Sequence, residues 1–252
     1  AIIGSYLRNL SYLPRLSPDV THDMGVSWSG DIFQPHFGSR TANRERNNAC
    51  RPRWKQAIHR QFTRQLPRYH HMNQFVARQY ASHQRVYIAL SQMVAHDIQR
   101  FHGVPSHMIH TIHNGVDIDR FSPKNCCPNR SRIRNKLGIA DHEILLLIVA
   151  HNFQLKGLPT LLRAHHKLVR QGLPVRLAVC GGRHLRGPLP RPIGTDAGIW
   201  MIGPVEDPLP FYAAADICVH PTYYDACSLV VLEAMACGLP VITTTWNGAG
   251  EL

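Results

Sequence analysis

Apolar and polar positions follow two alternating periods along the second half of the chain. Residues 144–150 form an unbroken apolar run, which is typical of a strand buried on both faces of a parallel sheet. Residues 159–170 then carry apolar side chains at helical spacing, with a proline at the start and a glycine beyond the end. The alternation continues to residue 245. It predicts an α/β fold in which right-handed strand–helix–strand units build a doubly wound parallel sheet.

Shorter patterns of the same kind place the remaining elements of the second half. Apolar and β-branched runs predict strands, and turn residues separate them from short helices. The expected strands are 175–180, 199–202, 217–220 and 241–245, with a helix near 210–215 and another between Ser228 and Gly238. A loop rich in proline and glycine occupies residues 183–198.

The first half of the chain gives fewer signals. Residues 19–24 are typical of a strand end, and residues 30–39 of a second strand with its loop. Residues 86–90 predict a strand, after which Ser91 is a good N-cap for a helix over 92–102 that Gly103 ends. Residues 108–113 then lead into an Asn-Gly turn.

One carboxylate, Glu233, lies inside an otherwise apolar run that begins after Ser228. A buried charge is costly without a partner, so we expect a polar group to meet it. Ser228 is a good N-cap, Gly238 and Pro240 end the helix, and Asp225 lies just outside it. The free N–H groups of such a helix start attract phosphate. Glu233, about one turn further in, would reach a diol attached to that phosphate, which is the layout of a nucleotide sugar; the alternative is a Glu233 paired with a structural arginine.

Candidate residues for such a ligand follow successive strands. Ligands of doubly wound sheets bind beyond the carboxyl ends of the strands. Lys156 and Gly157 follow the first strand of the second half, Gly182 the second, Val205 the third, and residues 225–228 the fourth. A single Lys-Gly or Gly-Gly pair is usually an ordinary turn. The ordered set therefore indicates a nucleotide-sugar site more strongly than any member does.

These motifs resemble a known family. The spacing Asp225-x7-Glu233, with residues 234–242 and 247–252 after it, is similar to the E-x7-E region of retaining glycosyltransferases of family 4. Other stretches agree in order and spacing, so the resemblance spans 86–252: 113–117, 121–123, 150–157, 179–182 and 202–205. The branch that looks most similar contains the lipopolysaccharide-core glucosyltransferases. Asp225 stands where the family usually has Glu, and His151 where it often has Arg.

The resemblance implies a GT-B fold, with two Rossmann-like doubly wound parallel-sheet domains of which the N-terminal one is incomplete. Residues 1–120 are then the C-terminal part of the acceptor-side domain, residues 121–141 an interdomain linker, and residues 142–252 a truncated donor-binding domain. We therefore expect the chain to be an internal fragment that is inactive alone.

The resemblance also implies an activity, namely transfer of a hexosyl group from a nucleoside-diphosphate sugar to a glycan or glycolipid acceptor with retention of configuration. No metal and no other cofactor is expected. The implied catalytic residues are Lys156, Asp225 and His36. The implied donor-binding residues are His151, Lys156, Gly157, Gly182, Val205, Asp225, Ser228, Leu229 and Glu233. A GT-B nucleotide-sugar epimerase and a catalytically silent, membrane-associated binding protein stay open as alternatives.

Positive charge is concentrated in residues 40–85, where 11 Arg and Lys face a single acid, Glu45, within a chain of net charge +12. Trp54, Ile58, Phe62 and Leu66 recur there at helical spacing. A basic amphipathic helix suits an anionic membrane surface. The alternative is a helix whose apolar stripe packs on the domain core. No nucleic-acid-binding motif accompanies the charge, so nucleic acid is not an expected partner.

Other features set the expected location. No apolar run reaches the roughly 18 residues of a spanning helix, and the first residues lack the basic region of a secretion signal. The seven cysteines form no C-x-x-C pair, which favours a reduced, cytoplasmic setting, peripheral to the inner face of the membrane. Asp117-x-Asp119 and the histidines at 107, 110 and 113 are spaced like metal ligands. The two aspartates lie in a turn, however, and the three histidines alternate between the two faces of a strand.

Overall fold

The computed structural model describes residues 18–82, 84–182 and 198–252. They form two compact units, the first built mainly from residues up to His113 and the second from Asn114 onward. Residues 225–227 and Glu251 are grouped with the first unit. Most of the loop expected at 183–198 lies outside the described residues.

The first unit contains a four-stranded parallel sheet in the order β1-β2-β3-β4. Its strands are β1 (His22–Asp23), β2 (Ile32–Phe33), β3 (Val86–Ala89) and β4 (Ile109–Thr111). Its helices are α1 (Arg40–Ala49), α2 (Arg53–Arg64), α3 (Pro67–Gln79) and α4 (Gln92–His102), with a 3-10 turn at Ser106–Met108. None of the described helices of the chain is long and apolar enough to cross a membrane.

The predicted helix over 92–102 is confirmed together with both of its ends. The Ser91 hydroxyl accepts a hydrogen bond from the Val94 N–H at 3.2 Å, and Gly103 takes the left-handed conformation at φ 67°. Val94 and Ile98 are fully buried. The strand expected at 108–113 is shorter, because residues 106–108 adopt a 3-10 turn.

The basic segment forms three helices, and the apolar stripe of α2 does not pack on the core. Trp54, Ile58 and Phe62 are 67%, 62% and 63% exposed. The residues of α2 that are half-buried are polar, namely Gln56, His59 and Thr63. The alternative in which the stripe covers the domain core therefore does not hold for these three side chains.

The second unit contains a five-stranded parallel sheet in the order β7-β6-β5-β8-β9. Its strands are β5 (Ile144–Ala150), β6 (Val175–Gly181), β7 (Ile199–Gly203), β8 (Ile217–His220) and β9 (Val241–Thr243). Its helices are α5 (Pro123–Leu137), α6 (Leu158–Arg170), α7 (Leu209–Ala214) and α8 (Leu229–Ala236), with a 3-10 turn at Gly248–Glu251. The predicted α/β class with parallel sheets is confirmed; the last strand ends two residues earlier than expected.

The central strand β5 is buried on both faces, as its unbroken apolar run predicts. Leu145 and Leu147 belong to one core cluster, together with residues of α5 and α7. Leu146 and Ile148 belong to a second cluster, together with residues of α6. Successive side chains of one strand therefore contribute to the hydrophobic layers on both sides of the sheet.

The expected linker, residues 121–141, contains the helix α5, whose Ile133 lies in the core of the second unit. By contacts, the division between the two units falls after His113. Two arginines of α5 also pair with Asp216, so the helix docks through both apolar and charged side chains. The assignment of these residues as a linker stays a prediction.

Asp216, just before β8, is the anchor for that docking. Its carboxylate accepts hydrogen bonds from Arg130 at 2.6 Å, from Arg134 at 2.9 Å and from the Leu145 N–H at 2.7 Å. Burial alone would raise the pKa of Asp216, but these donors outweigh it and hold the pKa below its ordinary value. The ionised carboxylate thus joins α5 to the edge where β5 and β8 begin.

We expect Asp216→Asn to destabilise the chain by about 3 kcal/mol, because Arg134 would keep a buried charge without its counter-ion. Urea unfolding at pH 7 measures this. Since the folded pKa is lowered, the stabilisation is present above the ordinary Asp pKa and is lost as pH falls through the folded value. The free energies of unfolding of the wild type and of Asp216→Asn should therefore converge in acid.

The control is Asp207→Asn, which breaks a half-exposed ion pair with Arg120 and should cost about 1 kcal/mol or less. Equal losses in the two variants would contradict the anchoring role of Asp216.

Candidate functional site

The strand order of the second sheet reverses between β5 and β8. From β5 the chain moves outward through β6 and β7, and then returns to add β8 and β9 on the other side of β5. In parallel α/β sheets, ligands bind beyond the carboxyl ends of the strands at such a reversal. The loops that leave β5 and β8 begin at His151 and Pro221. The predicted Lys156 lies on the first of these loops.

Hydrogen bonds hold the two loops against each other. The Leu155 carbonyl accepts from the Tyr223 N–H at 2.8 Å and from the Thr222 hydroxyl at 3.2 Å. The Lys156 ammonium donates to the Tyr224 carbonyl at 3.4 Å. Lys156 is therefore held beside the segment that leads into α8.

Two of the predicted glycines are required by close packing. At Gly157, with φ 79°, a Cβ atom would lie 2.1 Å from the Pro221 carbonyl oxygen. At Gly182, with φ 72°, a Cβ atom would lie 2.4 Å from the Phe153 ring. Gly157 thus allows the two loops to close, and Gly182 allows the end of β6 to pack on Phe153. A contact of either glycine with a ligand stays a prediction.

The N-terminus of α8 has backbone donors of the kind that an anion site uses. Ser228 is the N-cap residue, as predicted, but within the described part of the chain its hydroxyl makes no capping hydrogen bond. The Asn247 side chain instead accepts from the Ser228 and Ala249 N–H groups, both at 3.2 Å. The N–H groups of the first turn, which starts at Leu229, are thus left without a side-chain cap and with the positive end of the helix dipole.

Glu233 has the polar partner that its apolar setting predicts. The Tyr212 hydroxyl donates to Glu233 Oε2 at 2.7 Å. Burial raises the pKa of Glu233, and the nearby Asp207 raises it further, while the Tyr212 hydrogen bond and the charge of Arg120 oppose the rise. The partner is thus a tyrosine of α7 and not the arginine of the alternative reading.

The other predicted residues lie in different parts of the chain. Val205 follows β7 and packs partly buried against the hydrophobic cluster. His151 is exposed at the end of β5. Asp225 is grouped with the first unit, as is His36, which is exposed after β2. The structure therefore gathers Lys156, the start of α8 and Glu233 in the second unit.

Three supporting residues were not predicted from the sequence, namely Tyr212, Thr222 and Asn247. Tyr212 is fully buried, yet its sequence context is an ordinary apolar helix. Thr222 bridges the two loops by donating to the Leu155 and Tyr224 carbonyls. Asn247 lies inside a recognised motif and is a typical capping residue type, which is the one signal that was available.

Hydrogen bonds to the local backbone account for the Asp117-x-Asp119 pattern. The Asp117 carboxylate accepts hydrogen bonds from the N–H groups of Asp119, at 3.1 Å, and Arg120, at 3.0 Å. Among the described residues, no group of three or more His, Cys, Asp or Glu side chains is arranged to hold a metal ion.

Comparison with known proteins agrees with the two-unit architecture. Residues 33–120 match the family model "Glycosyltransferase Family 4", and residues 143–252 match "Glycosyl transferases group 1". Among solved structures, WaaG, described as a glycosyltransferase involved in lipopolysaccharide biosynthesis, has a TM-score of 0.74 at 23% identity, over 96% of this chain and 64% of that one. Sucrose-phosphate synthase from Thermosynechococcus elongatus has a TM-score of 0.60 at 22% identity, over 86% and 50%.

Curated relatives match at higher identity over a shorter span. A D-inositol 3-phosphate glycosyltransferase of Catenulispora acidiphila is 31% identical over 176 residues, which is 64% of this chain and 40% of that protein. The enzyme of the same name from Corynebacterium jeikeium is 34% identical over 152 residues, or 56% and 36%. The chain thus spans about 40% of the length of such relatives.

The fold and the comparisons define a class, the two-domain GT-B architecture with parallel α/β sheets. Within that class, both halves of the chain are glycosyltransferase domains, of family 4 in the first half and of group 1 in the second.

We expect Glu233→Gln to raise the melting temperature at pH 7. Because the folded pKa of Glu233 lies above its ordinary value of 4.5, the ionised side chain is disfavoured by folding. The contribution of Glu233 to the free energy of unfolding is therefore greatest in acid, where the side chain is protonated. This contribution is lost as pH rises from the ordinary pKa through the pKa of the folded state. Calorimetry should show the difference between variant and wild type disappearing below pH 4.

The control is Glu206→Gln, which makes the same chemical change at an exposed carboxylate of the same unit. A lower melting temperature of Glu233→Gln at pH 7 would mean that the charge of Glu233 stabilises the fold.

Proposed function

We propose that the chain binds a nucleoside-diphosphate sugar and belongs to a retaining glycosyltransferase that moves a hexosyl group onto a glycan or glycolipid acceptor. The observation that carries this proposal is the gathering of Lys156, the uncapped start of α8 and Glu233 at the reversal of the second sheet. In this proposal, Lys156 and the start of α8 bind the diphosphate, and Glu233 of the same helix binds the ribose diol.

Each proposed role follows from the chemistry of the group. The Lys156 ammonium and the N–H groups near Leu229 stabilise the charge that develops on the leaving diphosphate, so that no metal ion is needed for this step. His151 is the further residue that the family resemblance assigns to the donor phosphates. Because the Ser228 N–H already donates to Asn247, the group that Ser228 contributes to the same phosphate contact is its hydroxyl, which makes no capping hydrogen bond within the described part of the chain. The leaving phosphate itself accepts the proton of the acceptor hydroxyl, on the same face of the sugar that it leaves.

The remaining assignments orient the donor. Tyr212 fixes one oxygen of Glu233, and the other oxygen accepts from the ribose hydroxyls. Asp225 holds hydroxyls of the transferred sugar, and the backbone after Gly203 at Val205 meets the base. The family resemblance assigns His36 to the transferred sugar. Retention of configuration rests on the family resemblance.

The curated relatives indicate which acceptors should be tested. They are described as D-inositol 3-phosphate glycosyltransferases, so a phosphorylated polyol belongs among the acceptors to be tried beside glycans and glycolipids.

We expect Lys156→Ala to weaken binding of both a nucleoside diphosphate and inorganic pyrophosphate by about tenfold or more, the scale of a charge-assisted hydrogen bond. Glu233→Ala should weaken binding of the nucleoside diphosphate by about 1–3 kcal/mol and leave binding of pyrophosphate unchanged, because only the nucleotide has a ribose. Isothermal titration calorimetry measures both ligands.

Lys167→Ala removes an exposed lysine of α6 and is the matched control, with no expected change for either ligand. Wild-type affinity of Lys156→Ala for pyrophosphate would remove Lys156 from the phosphate site. If Glu233→Ala lost equal affinity for both ligands, Glu233 would not be the group that binds the ribose.

Donor consumption separates the proposed reaction from its alternatives. A transferase consumes the nucleotide sugar in proportion to added acceptor, whereas an epimerase converts or hydrolyses it without any. A catalytically silent protein consumes none under either condition.

We also propose that α2 binds an anionic membrane surface on the cytoplasmic side. The support is the outward apolar stripe, Trp54, Ile58 and Phe62, within a strongly basic segment. Burying such side chains in lipid is worth about 1.5–3 kcal/mol each. Each basic residue near an anionic surface adds about 1 kcal/mol. Apolar insertion and charge attraction thus favour the same surface.

Replacing the stripe with W54S/I58S/F62S should lower the affinity for vesicles of phosphatidylcholine and phosphatidylglycerol at least tenfold, because these contacts with lipid are lost. Co-sedimentation at low and high salt measures the apolar and charge contributions separately. V169S/L173S replaces exposed apolar residues of the second unit and is the control. Unchanged vesicle binding by the stripe variant would contradict the proposal.

A further inference from the structure

One buried side chain, that of Asn247, holds the starts of two helical segments of the second unit. Asn247 is 2% exposed, and its Oδ1 accepts hydrogen bonds from the N–H groups of Ala249 and Ser228, both at 3.2 Å. The first bond caps the 3-10 turn that follows Asn247, and the second holds the N-cap residue of α8. Asn247 therefore ties together two segments that are 19 residues apart in the sequence.

The amide of Asn247 is also fixed from its other side. Its Nδ2 donates to the Thr243 hydroxyl at 3.0 Å, and that hydroxyl donates to the His220 carbonyl at 2.9 Å. Thr243 ends β9 and His220 ends β8, so the relay joins the start of α8 to the carboxyl ends of both strands. Because the acceptor and the donor of the amide are both used, a single orientation of the Asn247 side chain satisfies this network.

The bonds of Asn247 determine what the start of α8 can offer to an anion. An N-cap serine ordinarily accepts a hydrogen bond from the second or third N–H of its helix. The Ser228 hydroxyl makes no such bond within the described residues. Asn247 instead holds the Ser228 backbone without using the N–H groups of the first helical turn. That turn lies at the surface, since its first residue, Leu229, is 46% exposed.

The neutral charge of Asn247 matters as much as its geometry. An aspartate at this position could accept the same two backbone hydrogen bonds, and its charge would suit the positive end of the helix dipole. It would also place a negative charge beside the N–H groups proposed for the diphosphate. An amide holds the helix start equally well without repelling an anion.

We infer that Asn247 is a positioning residue for the diphosphate, which fixes the start of α8 with a side chain that adds no negative charge there. This inference rests on the proposed function, and it assigns to Asn247 a role at the phosphate end of the donor that is exerted through the start of α8.

The test compares Asn247→Ala and Asn247→Asp with the wild type, by thermal melting and by isothermal titration calorimetry with pyrophosphate and with a nucleoside diphosphate. Asn247→Ala loses all of the side-chain hydrogen bonds, so it should melt lowest and bind both ligands about fivefold more weakly than the wild type. Asn247→Asp keeps both backbone bonds and should melt above Asn247→Ala. Its charge should nevertheless make it bind both ligands about tenfold more weakly than Asn247→Ala. A merely structural role would give the opposite order, because affinity would then follow the melting temperature.

The control is Asn135→Asp, which makes the same change at an exposed residue of α5 and should bind as wild type. If a variant at position 247 does not fold, Thr243→Val replaces it. This variant removes the hydroxyl that orients the amide and should bind both ligands about fivefold more weakly.

The inference is overturned if Asn247→Ala or Thr243→Val binds pyrophosphate as tightly as the wild type, or if Asn247→Asp binds it at least as tightly as Asn247→Ala. An equal loss in Asn135→Asp and Asn247→Asp would also overturn it. Any of these results in a wild type that binds pyrophosphate leaves the proposed function standing. A wild type that binds neither ligand would overturn the proposed function and this inference together.

Discussion

The burial of β5 on both faces is the constraint on which the second unit depends. A strand whose alternate side chains enter two different core clusters can only be the centre of a sheet, with helices on either side. The sheet then grows in one direction through β6 and β7 and in the other through β8 and β9. The loops after β5 and β8 are consequently neighbours, and the position of Lys156 beside the segment before α8 follows from the burial of a strand some distance away.

Two carboxylates of this unit show how the surroundings of a charge separate a structural role from a candidate functional one. Asp216 meets two arginines and a backbone N–H, and its pKa is lowered. Glu233 meets a tyrosine hydroxyl, and its pKa is raised by burial. The first charge is fully compensated inside the fold. The second has hydrogen-bonding capacity left for a group that comes from outside the chain.

Much of the second unit was predictable, because its elements are determined by local patterns. The apolar run 144–150 coincides with β5, and the capped segment 92–102 of the first unit coincides with α4. The expected polar partner of Glu233 exists, but its identity was not predictable, since Tyr212 lies 21 residues away. The helix α5 was not predicted, because part of its docking is through ion pairs with Asp216, and charge pairs leave no periodic apolar pattern. The orientation of α2 was also beyond the sequence, because amphipathic spacing defines two faces without saying which of them points inward.

That inward polar face has a consequence for how the first unit unfolds. A helix in a folded protein gains most of its stability from apolar burial and little from intrinsic propensity. In α4, Val94 and Ile98 supply such burial, whereas α2 turns Trp54, Ile58 and Phe62 to the solvent. We therefore expect α2 to open locally at a lower free energy than α4, and its backbone amides to exchange with solvent without global unfolding. Anything that covers the apolar stripe of α2 would then add to the free energy needed to open this helix.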